Sequence, residues 1–596
     1  MLQYPFDGAQ LLRKNKALVA QLRQNPPAIR KKIAILGGST TSHIRDLLEL
    51  FLLDNGIDPT FYQCEYGQYY QEVLFHNQQL REFAPDFIYL HTTNRNIEGY
   101  PIITDTPDMV QQKLQAEFAR FRSLWERIAA DYGCTVIQNN FELPATRLLG
   151  NRDSCDHRGK TAFITRLNGL FADYAAEHTN FYLNDIHYLS ACCGLDSWND
   201  ATAWQLYKYS PAPSHLPDLC YSVANIIKST LGRNKKALVL DLDNTLWGGV
   251  VGDDGVEGIE LGAETPTGQT FLAFQQYLKE LSGLGVLLTV NSKNDYDNAI
   301  AGLTHPQSAL APGDFAVLKA NWQNKDCNLA EIAHELNILP DSLVFFDDNP
   351  AERAIVADMG AGVAVPEPGQ PEDYLRVLDR SGYFEVTTLS QDDLTRGEMY
   401  KANALRAQLE QQTGSYEDYL RSLNMTAEID SFLPVYLPRI AQLTNKSNQF
   451  NLTTRRYTTA EMEAVAADPD ALTLYGKLTD RFGDNGVVSV IVGQQQGDVL
   501  ELTLWLMSCR VLKRGMEQAM LDALVSLAAA RGVTRLLGRY LPTAKNGMVR
   551  DFYTTMGFTL LERSEDGAGL WELPIANYQP QNAIITIVRS HADAKH

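Results

Sequence analysis

Short apolar runs that end in glycine, acid or amide recur along the chain, and stretches with helical spacing separate them. The first, Ile33-Ala34-Ile35-Leu36, runs into Gly37-Gly38-Ser39-Thr40. Phe87 to Leu90, Thr135 to Ile137 and Asn180 to Leu183 follow, with helical segments such as Ile44 to Leu53 and Met109 to Tyr132 between them. Unbroken apolar runs read as strands buried on both faces, and their alternation with helices predicts a parallel α/β domain. After a polar stretch with Pro211, Pro213 and Pro217, the run Ala237-Leu238-Val239-Leu240 opens a second such set, continued by Val286 to Val290 and Leu343 to Phe346. Pro366-Glu367-Pro368-Gly369-Gln370-Pro371 reads as a linker. Beyond it the pattern changes. A helical start, strand-like runs at Val487 to Val492 and Leu500 to Leu506, a helix near Met516 to Arg531, and short runs at Arg535 to Leu537 and Phe558 to Leu561 predict a mixed α+β domain. Ala583 to Val588 is a candidate last strand in a weakly patterned tail.

The expected architecture is therefore α/β and multidomain: a first domain over 1–200, a connecting segment over 201–234, a second domain over 235–370, a linker over 371–384, a third domain over 385–577 and a tail over 578–596. A length of 596 residues suits several domains. The formal net charge of -20 disfavours nucleic acid, because phosphate backbones need a basic face. Eight scattered cysteines without a Cys-x-x-Cys pair predict a reducing, cytoplasmic setting. The early apolar stretch Ala17 to Ala20 is too short for a signal peptide, and with no long apolar run no membrane span is expected.

Chemistry concentrates where the second set of strands ends. Leu240 is followed by Asp241-Leu242-Asp243-Asn244-Thr245. Carboxylates at i and i+2 of an extended chain point the same way, and they repel unless a cation or shared proton relieves them. A Mg²⁺ ion with a phosphate substrate would do so; an acidic turn with no ligand reads equally well from this motif alone. Val286 to Val290 ends in Asn291-Ser292-Lys293-Asn294, and Leu343 to Phe346 ends in Asp347-Asp348-Asn349. Between them, Asn321-Trp322-Gln323-Asn324-Lys325 supplies an amine, with Lys319 as a rival. In a parallel sheet, ligands collect at these carboxyl ends.

In order and approximate spacing these motifs resemble the haloacid dehalogenase-like (HAD) phosphatases. Leu-Asp-Leu-Asp-Asn-Thr-Leu-Trp-Gly-Gly, Ser-Lys-Asn, Asn-Trp-x-x-Lys and Phe-Asp-Asp-Asn-Pro-x-Glu-Arg are similar to the FkbH-type subfamily (HAD subfamily IIIC), over nearly the whole chain. The resemblance implies a HAD-like Rossmannoid domain with a minimal cap, since few residues are expected between its first strand and next helix. It further implies Asp241 as the nucleophile forming an aspartyl-phosphate and Asp243 as acid and base. Ser292 and Lys325 would hold the phosphoryl oxygens. Mg²⁺ would lie on Asp241, Asp347, Asp348 and the backbone carbonyl of Asp243. Many FkbH-type sequences carry a cysteine immediately before the strand-end serine; this chain has Asn291 there.

The flanking domains carry weaker resemblances. Gly37-Gly38-Ser39, Asn94 and Asn184-Asp185-Ile186-His187 are similar to blocks of an SGNH hydrolase, with Gly38 where that family has Asp. A Ser–His pair is implied, its orienting carboxylate open. His43 and His91 read as ordinary surface or packed histidines. In the third domain, Phe552-Tyr553-Thr554-Thr555-Met556-Gly557-Phe558 resembles the end of a GNAT acyltransferase. Arg510, Lys513, Arg514 and Gly515 partly match that family's glycine loop, implying a site for the phosphopantetheine arm of an acyl carrier protein or of coenzyme A. Cys509 just before it is a candidate acyl-carrying thiol, or packing. Thr444 to Asn451 and Asp480 to Gly486 would line a polar site or form capped turns.

FkbH-type proteins load a glyceryl unit from 1,3-bisphosphoglycerate onto an acyl carrier protein, with loss of phosphate, for polyketide or related pathways. The resemblance thus implies a phosphatase coupled to an acyltransferase, with an acyl carrier protein and a phosphorylated small molecule as partners. Asn291 keeps open another acyl or amino substrate, as in surface-glycan or lipopeptide assembly. A non-enzymatic carrier-docking scaffold is the third reading.

Overall fold

The structure, a computed structural model, describes every residue except 1, 28, 360, 361, 448, 544, 590–596 and most of 391–411. The chain divides into two compact units, Met1–Thr230 and Leu231–His596.

The first unit is built on a parallel sheet in the order β2-β1-β3-β4-β5, with β1 Ile29–Gly37, β2 Ile57–Gln63, β3 Phe87–His91, β4 Thr135–Asn139 and β5 Phe181–Asn184. Strand β2 had no clear apolar signal, because Asp58 and Pro59 interrupt it. Proline is tolerated there since β2 lies at the sheet edge. The long helix Pro107–Tyr132 starts where Thr106 accepts from Met109 N at 3.3 Å and stops at Gly133, φ +58°. Its buried face, with Phe121, Leu124 and Trp125, joins Phe141, Phe171 and Phe181 in an aromatic core. The helix Leu216–Thr230 buries Leu219, Val223 and Ile227 and packs on the helix Ser42–Asp54. The expected connecting segment over 201–234 is therefore corrected: residues up to Thr230 belong to the first unit.

The second unit holds two sheets. One is parallel, ordered β8-β7-β6-β9, with β6 Ala237–Leu240, β7 Leu287–Ser292, β8 Val317–Ala320 and β9 Leu343–Phe346. Leu240 pairs with Val290 on one side and Phe346 on the other, so Asp241, Asn291 and Asp347 follow one step beyond in register. Residues 371–384 are not a linker. Tyr374 in the helix Tyr374–Arg380 packs edge-on against Phe274 and Phe346, and its hydroxyl donates to Asn244 O at 3.0 Å. The link from β6 to the next helix, Pro266–Gly283, is longer than expected. It holds the short helix Val251–Asp254 and a Gly248–Glu260 bridge, which makes it a tucked flap and not a separate domain.

The other sheet is mixed and has the order β15-β16-β14-β13-β12-β11-β10-β17. Its strands are β10 Thr426–Asp430, β11 Ala471–Asp480, β12 Gly483–Gln496, β13 Val499–Met507, β14 Arg535–Tyr540, β15 Thr559–Arg563, β16 Gly569–Pro574 and β17 Thr586–Val588. Strand β17 pairs with β10, so the tail after 577 contributes to this sheet. The multidomain α/β class expected from the sequence is the one observed. Asn337 Nδ2 donates to Cys509 O at 2.7 Å, and Lys545 pairs with Asp341, linking the two sheets of this unit.

Candidate active site

The carboxyl ends of β6, β7 and β9 gather the acids foreseen in the sequence. Asp241 and Asp347 lie side by side because their strands are neighbours in register. Lys325 opens the helix Lys325–Glu335 and is buried. Its Nζ reaches Asp241 Oδ2 at 3.0 Å and Asp347 Oδ2 at 2.5 Å. Burial opposes the charge on Lys325, yet Asp241 and Asp347 together hold its ammonium above the ordinary lysine value. Lys319, the rival lysine, points elsewhere and pairs with Glu331 and Glu335. Ser292 closes β7 and is buried beside this group of strand ends.

Asp241, Asp347 and Asp348 each offer one oxygen, and these oxygens lie within 4.8 Å of one another. Burial, then the charge of Asp241, pushes the Asp347 carboxyl up to about 6 against the pull of Lys325. Asp348 is raised for the same two reasons. Asp241 Oδ1 is buried with no hydrogen-bond partner. A buried carboxylate oxygen is costly to leave unpaired. Three converging carboxylates, one of which also carries an orphaned oxygen, fit a hard divalent cation such as Mg²⁺.

Asp243 is half-buried and held on both oxygens. Its Oδ1 accepts from Trp247 Nε1 at 2.9 Å and from Val251 N at 3.0 Å, and its Oδ2 accepts from Asn294 Nδ2 at 3.0 Å. Burial raises its carboxyl, with a smaller push from Asp241. Its side chain is not in the three-oxygen group.

Sequence reasoning missed the amides that support Lys325. Asn291 is buried, donates to Lys325 O at 2.9 Å and accepts from Asn328 Nδ2 at 3.0 Å. Asn328 and Asn321 exchange hydrogen bonds at 3.0 and 3.2 Å. The signal was present as four asparagines, at 291, 321, 324 and 328, around one lysine. Arg353 was seen only as a motif residue. It donates to the backbone carbonyls of Asp347 and Asp348 at 2.9 and 2.7 Å and so fixes the acidic loop.

The outlying candidates are placed differently. Ser39 Oγ is buried without a hydrogen-bond partner, while His187 Nδ1 lies 3.3 Å from Phe141 O. Asp185 caps its own helix, accepting from Tyr188 N at 3.0 Å and from Asn140 Nδ2 at 2.7 Å. A Cβ at Gly38 would meet the Asn96 side-chain amide, so an aspartate there requires Asn96 to move. His91 is packed, as expected: Ser210 O lies 2.8 Å from Nε2, and burial lowers its pKa to about 4.

In the third domain, one residue of the expected cofactor loop is committed within the chain. Arg514 is buried and its Nη1 lies 3.3 Å from Asp480 Oδ2. Glu517 accepts from Lys513 N at 3.2 Å, so a carboxylate of the chain already sits at this helix start. Lys513 and Gly515 turn the loop with φ of +63° and +86°, and Arg510 Nε donates to Ser508 Oγ at 3.2 Å. Cys509 is half-buried. Strand β13 pairs with β14 only over Val499 to Leu502. Beyond that, residues 450–452 lie between the two strands. Leu452 N donates to Trp505 O and Met507 N to Phe450 O, both at 3.0 Å; opposite, Leu541 N donates to Leu452 O at 2.8 Å. Residues 450–452 therefore bridge the parting of the two strands.

No protein-family model matches the chain, and no curated protein matches it. Among solved structures it is similar to the N-terminal part of the protein BF1531 from Bacteroides fragilis, containing a phosphatase domain complexed with Mg. The two are 28% identical over 64% of this chain and 100% of that one, with a TM-score of 0.58. Two short likenesses are the ribosomal-protein-S18-alanine N-acetyltransferase from Escherichia coli (19% identity, 25% of this chain and 94% of that one, TM-score 0.20) and the PaiA N-acetyltransferase from Thermoplasma acidophilum in complex with coenzyme A (16%, 25% and 99%, 0.19).

Proposed function

We propose that the chain is a Mg²⁺-dependent phosphatase of the HAD type, acting through an aspartyl-phosphate on Asp241. The observation that carries this reading is the orphaned Asp241 Oδ1 beside Asp347 and Asp348, with Lys325 bridging Asp241 and Asp347. The similarity to a Mg-bound phosphatase domain supports it. Asp241 attacks phosphorus, and Asp243, aimed by Trp247, Val251 and Asn294, gives the departing oxygen its proton. Asp243 then takes a proton from the water that hydrolyses the aspartyl-phosphate. Lys325 and Ser292 hold the transferring oxygens. Bound Mg²⁺ would be held by Asp241, Asp347 and Asp348 and would supply positive charge against the phosphate.

The fuller proposal is that this step belongs to loading of a glyceryl unit from 1,3-bisphosphoglycerate onto an acyl carrier protein. The pantetheine thiol attacks the acyl phosphate carbon and displaces phosphate, which takes up the thiol proton; Asp241 then removes the remaining phosphate. The acyl phosphate is already activated, so no ATP is consumed. The thiol does not enter along the parting of β13 and β14, which residues 450–452 bridge. A second reading, another acyl or amino substrate, is favoured by Asn291: its amide is committed to Lys325 and Asn328, leaving no thiol before Ser292.

Two measurements test this. Phosphate release from small phosphate esters should require Mg²⁺ and fall to background in Asp241→Asn; full turnover in that variant refutes the phosphatase reading. Intact-mass measurement of carrier proteins incubated with 1,3-bisphosphoglycerate should show a glyceryl increment. Its absence with every carrier, alongside Asp241-dependent phosphate release, favours the second reading.

A further inference from the structure

Within the first unit, Cys193, His215 and Asp218 converge. Cys193 ends the helix Ile186–Cys193, His215 ends the turn Pro213–His215, and Asp218 lies in the first turn of the helix Leu216–Thr230. All three are half-buried, and one ligating atom of each lies within 4.8 Å of the others. The His215 ring stacks over the buried Trp198 indole with centroids 6.0 Å apart.

The hydrogen bonds around His215 orient its ring. Ser197 Oγ lies 2.6 Å from His215 Nε2 and donates to Cys193 O at 3.0 Å. With the one Ser197 proton on the carbonyl, Nε2 donates to Ser197 and Nδ1 turns its lone pair toward Asp218 Oδ2, 3.5 Å away. That is longer than a charge-assisted hydrogen bond of about 2.7–2.9 Å. Nitrogen and oxygen ligands about 2.0–2.1 Å from a tetrahedral zinc ion stand about 3.4 Å apart.

We propose that Cys193, His215 and Asp218 form a zinc site with its fourth position open to water. Ser197 is its positioning residue, orienting the imidazole through Nε2. A thiolate, an imidazole and a carboxylate together select a borderline-soft ion, whereas the all-oxygen group at Asp241 suits Mg²⁺. The two sites are distinct in chemistry, and this one does not depend on the phosphatase reading.

Cobalt tests the assignment, because a Co²⁺–thiolate bond absorbs in the near ultraviolet. The chelator-stripped full chain should take up Co²⁺ with a thiolate charge-transfer band and tetrahedral visible bands, and zinc should bleach both. Cys193→Ser should lose the charge-transfer band while unfolding at the same temperature. Ser197→Ala should keep the band and bind about tenfold more weakly. Asp241→Asn should leave all of this unchanged. No charge-transfer band at micromolar Co²⁺, or a band that survives in Cys193→Ser, overturns the proposal and leaves His215 and Asp218 as an ion pair only.

Discussion

Asn291 Nδ2 donates to the backbone carbonyl of Lys325 at 2.9 Å, tying the end of β7 to the start of the helix that carries the site's ammonium. Asn328 closes the other end of the same amide at 3.0 Å. Asn291→Ala leaves a buried carbonyl and a buried amide short of a partner, which costs about 1–3 kcal/mol. Displacement of Lys325 should slow phosphate release by roughly tenfold to a hundredfold. Asn291→Cys, the residue of the resembled family, should not restore it, since a thiol donates weakly. Steady-state phosphate release with thermal unfolding checks this; a stable Asn291→Ala with full turnover would show that the amide does not position Lys325.

Gly302 supports the site from further away. A Cβ there would come within 2.7 Å of the Trp247 ring, whose Nε1 holds Asp243. Crowding of this kind costs about 1–3 kcal/mol. Gly302→Ala should lower both stability and turnover. Trp247→Phe removes the donor without crowding and should lower turnover with a smaller change in KM than in kcat. If Trp247→Phe turns over normally, the hydrogen bond to Asp243 is dispensable.

The acidic strand ends and the strand-end serine were legible from sequence because each follows an apolar run that reads as a buried strand, and Lys325 was marked by its Asn-Trp-x-x-Lys motif. Register then forces Asp241 and Asp347 together. The role of Asn291 was not legible, since its partners, Lys325 O and Asn328, are set by how a distant helix lands on β7. Arg514 misled for a related reason. A basic residue in a turn before a helix resembles an anion site, but Asp480, brought across by β11, neutralises it. The helix Leu216–Thr230 was assigned to a connection because only tertiary packing on Ser42–Asp54 shows which unit it completes.

His91 makes the first unit sensitive to acid. Burial lowers its pKa from 6.5 to about 4. Between those values the unfolded chain binds more protons, so stability rises with pH across the window and is fully present above about 6.5. The swing from this residue is about 3 kcal/mol at most. Glu142, raised to about 7 by burial, has the opposite slope: its contribution is present at low pH and lost as pH rises through 7. The difference in unfolding free energy between the wild type and His91→Gln cancels Glu142 and should increase in favour of the wild type from pH 4 to 6.5. A flat difference would mean that His91 titrates normally.

Asp480 anchors two guanidinium groups in the third domain. Arg406 reaches it at 2.9 and 2.7 Å, and Arg514 at 3.3 Å. Asp480→Asn leaves both cations without their carboxylate, and breaking a buried pair in this way costs about 3–5 kcal/mol. Arg514→Glu, which sets a second carboxylate against Asp480, should unfold the domain outright. Lys513, one residue earlier, is exposed. Lys513→Glu should therefore leave the unfolding temperature unchanged. An acyl carrier protein is acidic, so the same change should weaken transfer to the carrier at low salt, through a slower on-rate, while small-molecule phosphate release is unaffected. Measured together, thermal unfolding and carrier transfer separate the neighbours: Arg514 moves the first and Lys513 only the second. Equal transfer by Lys513→Glu and wild type at low salt would exclude this loop from the docking surface.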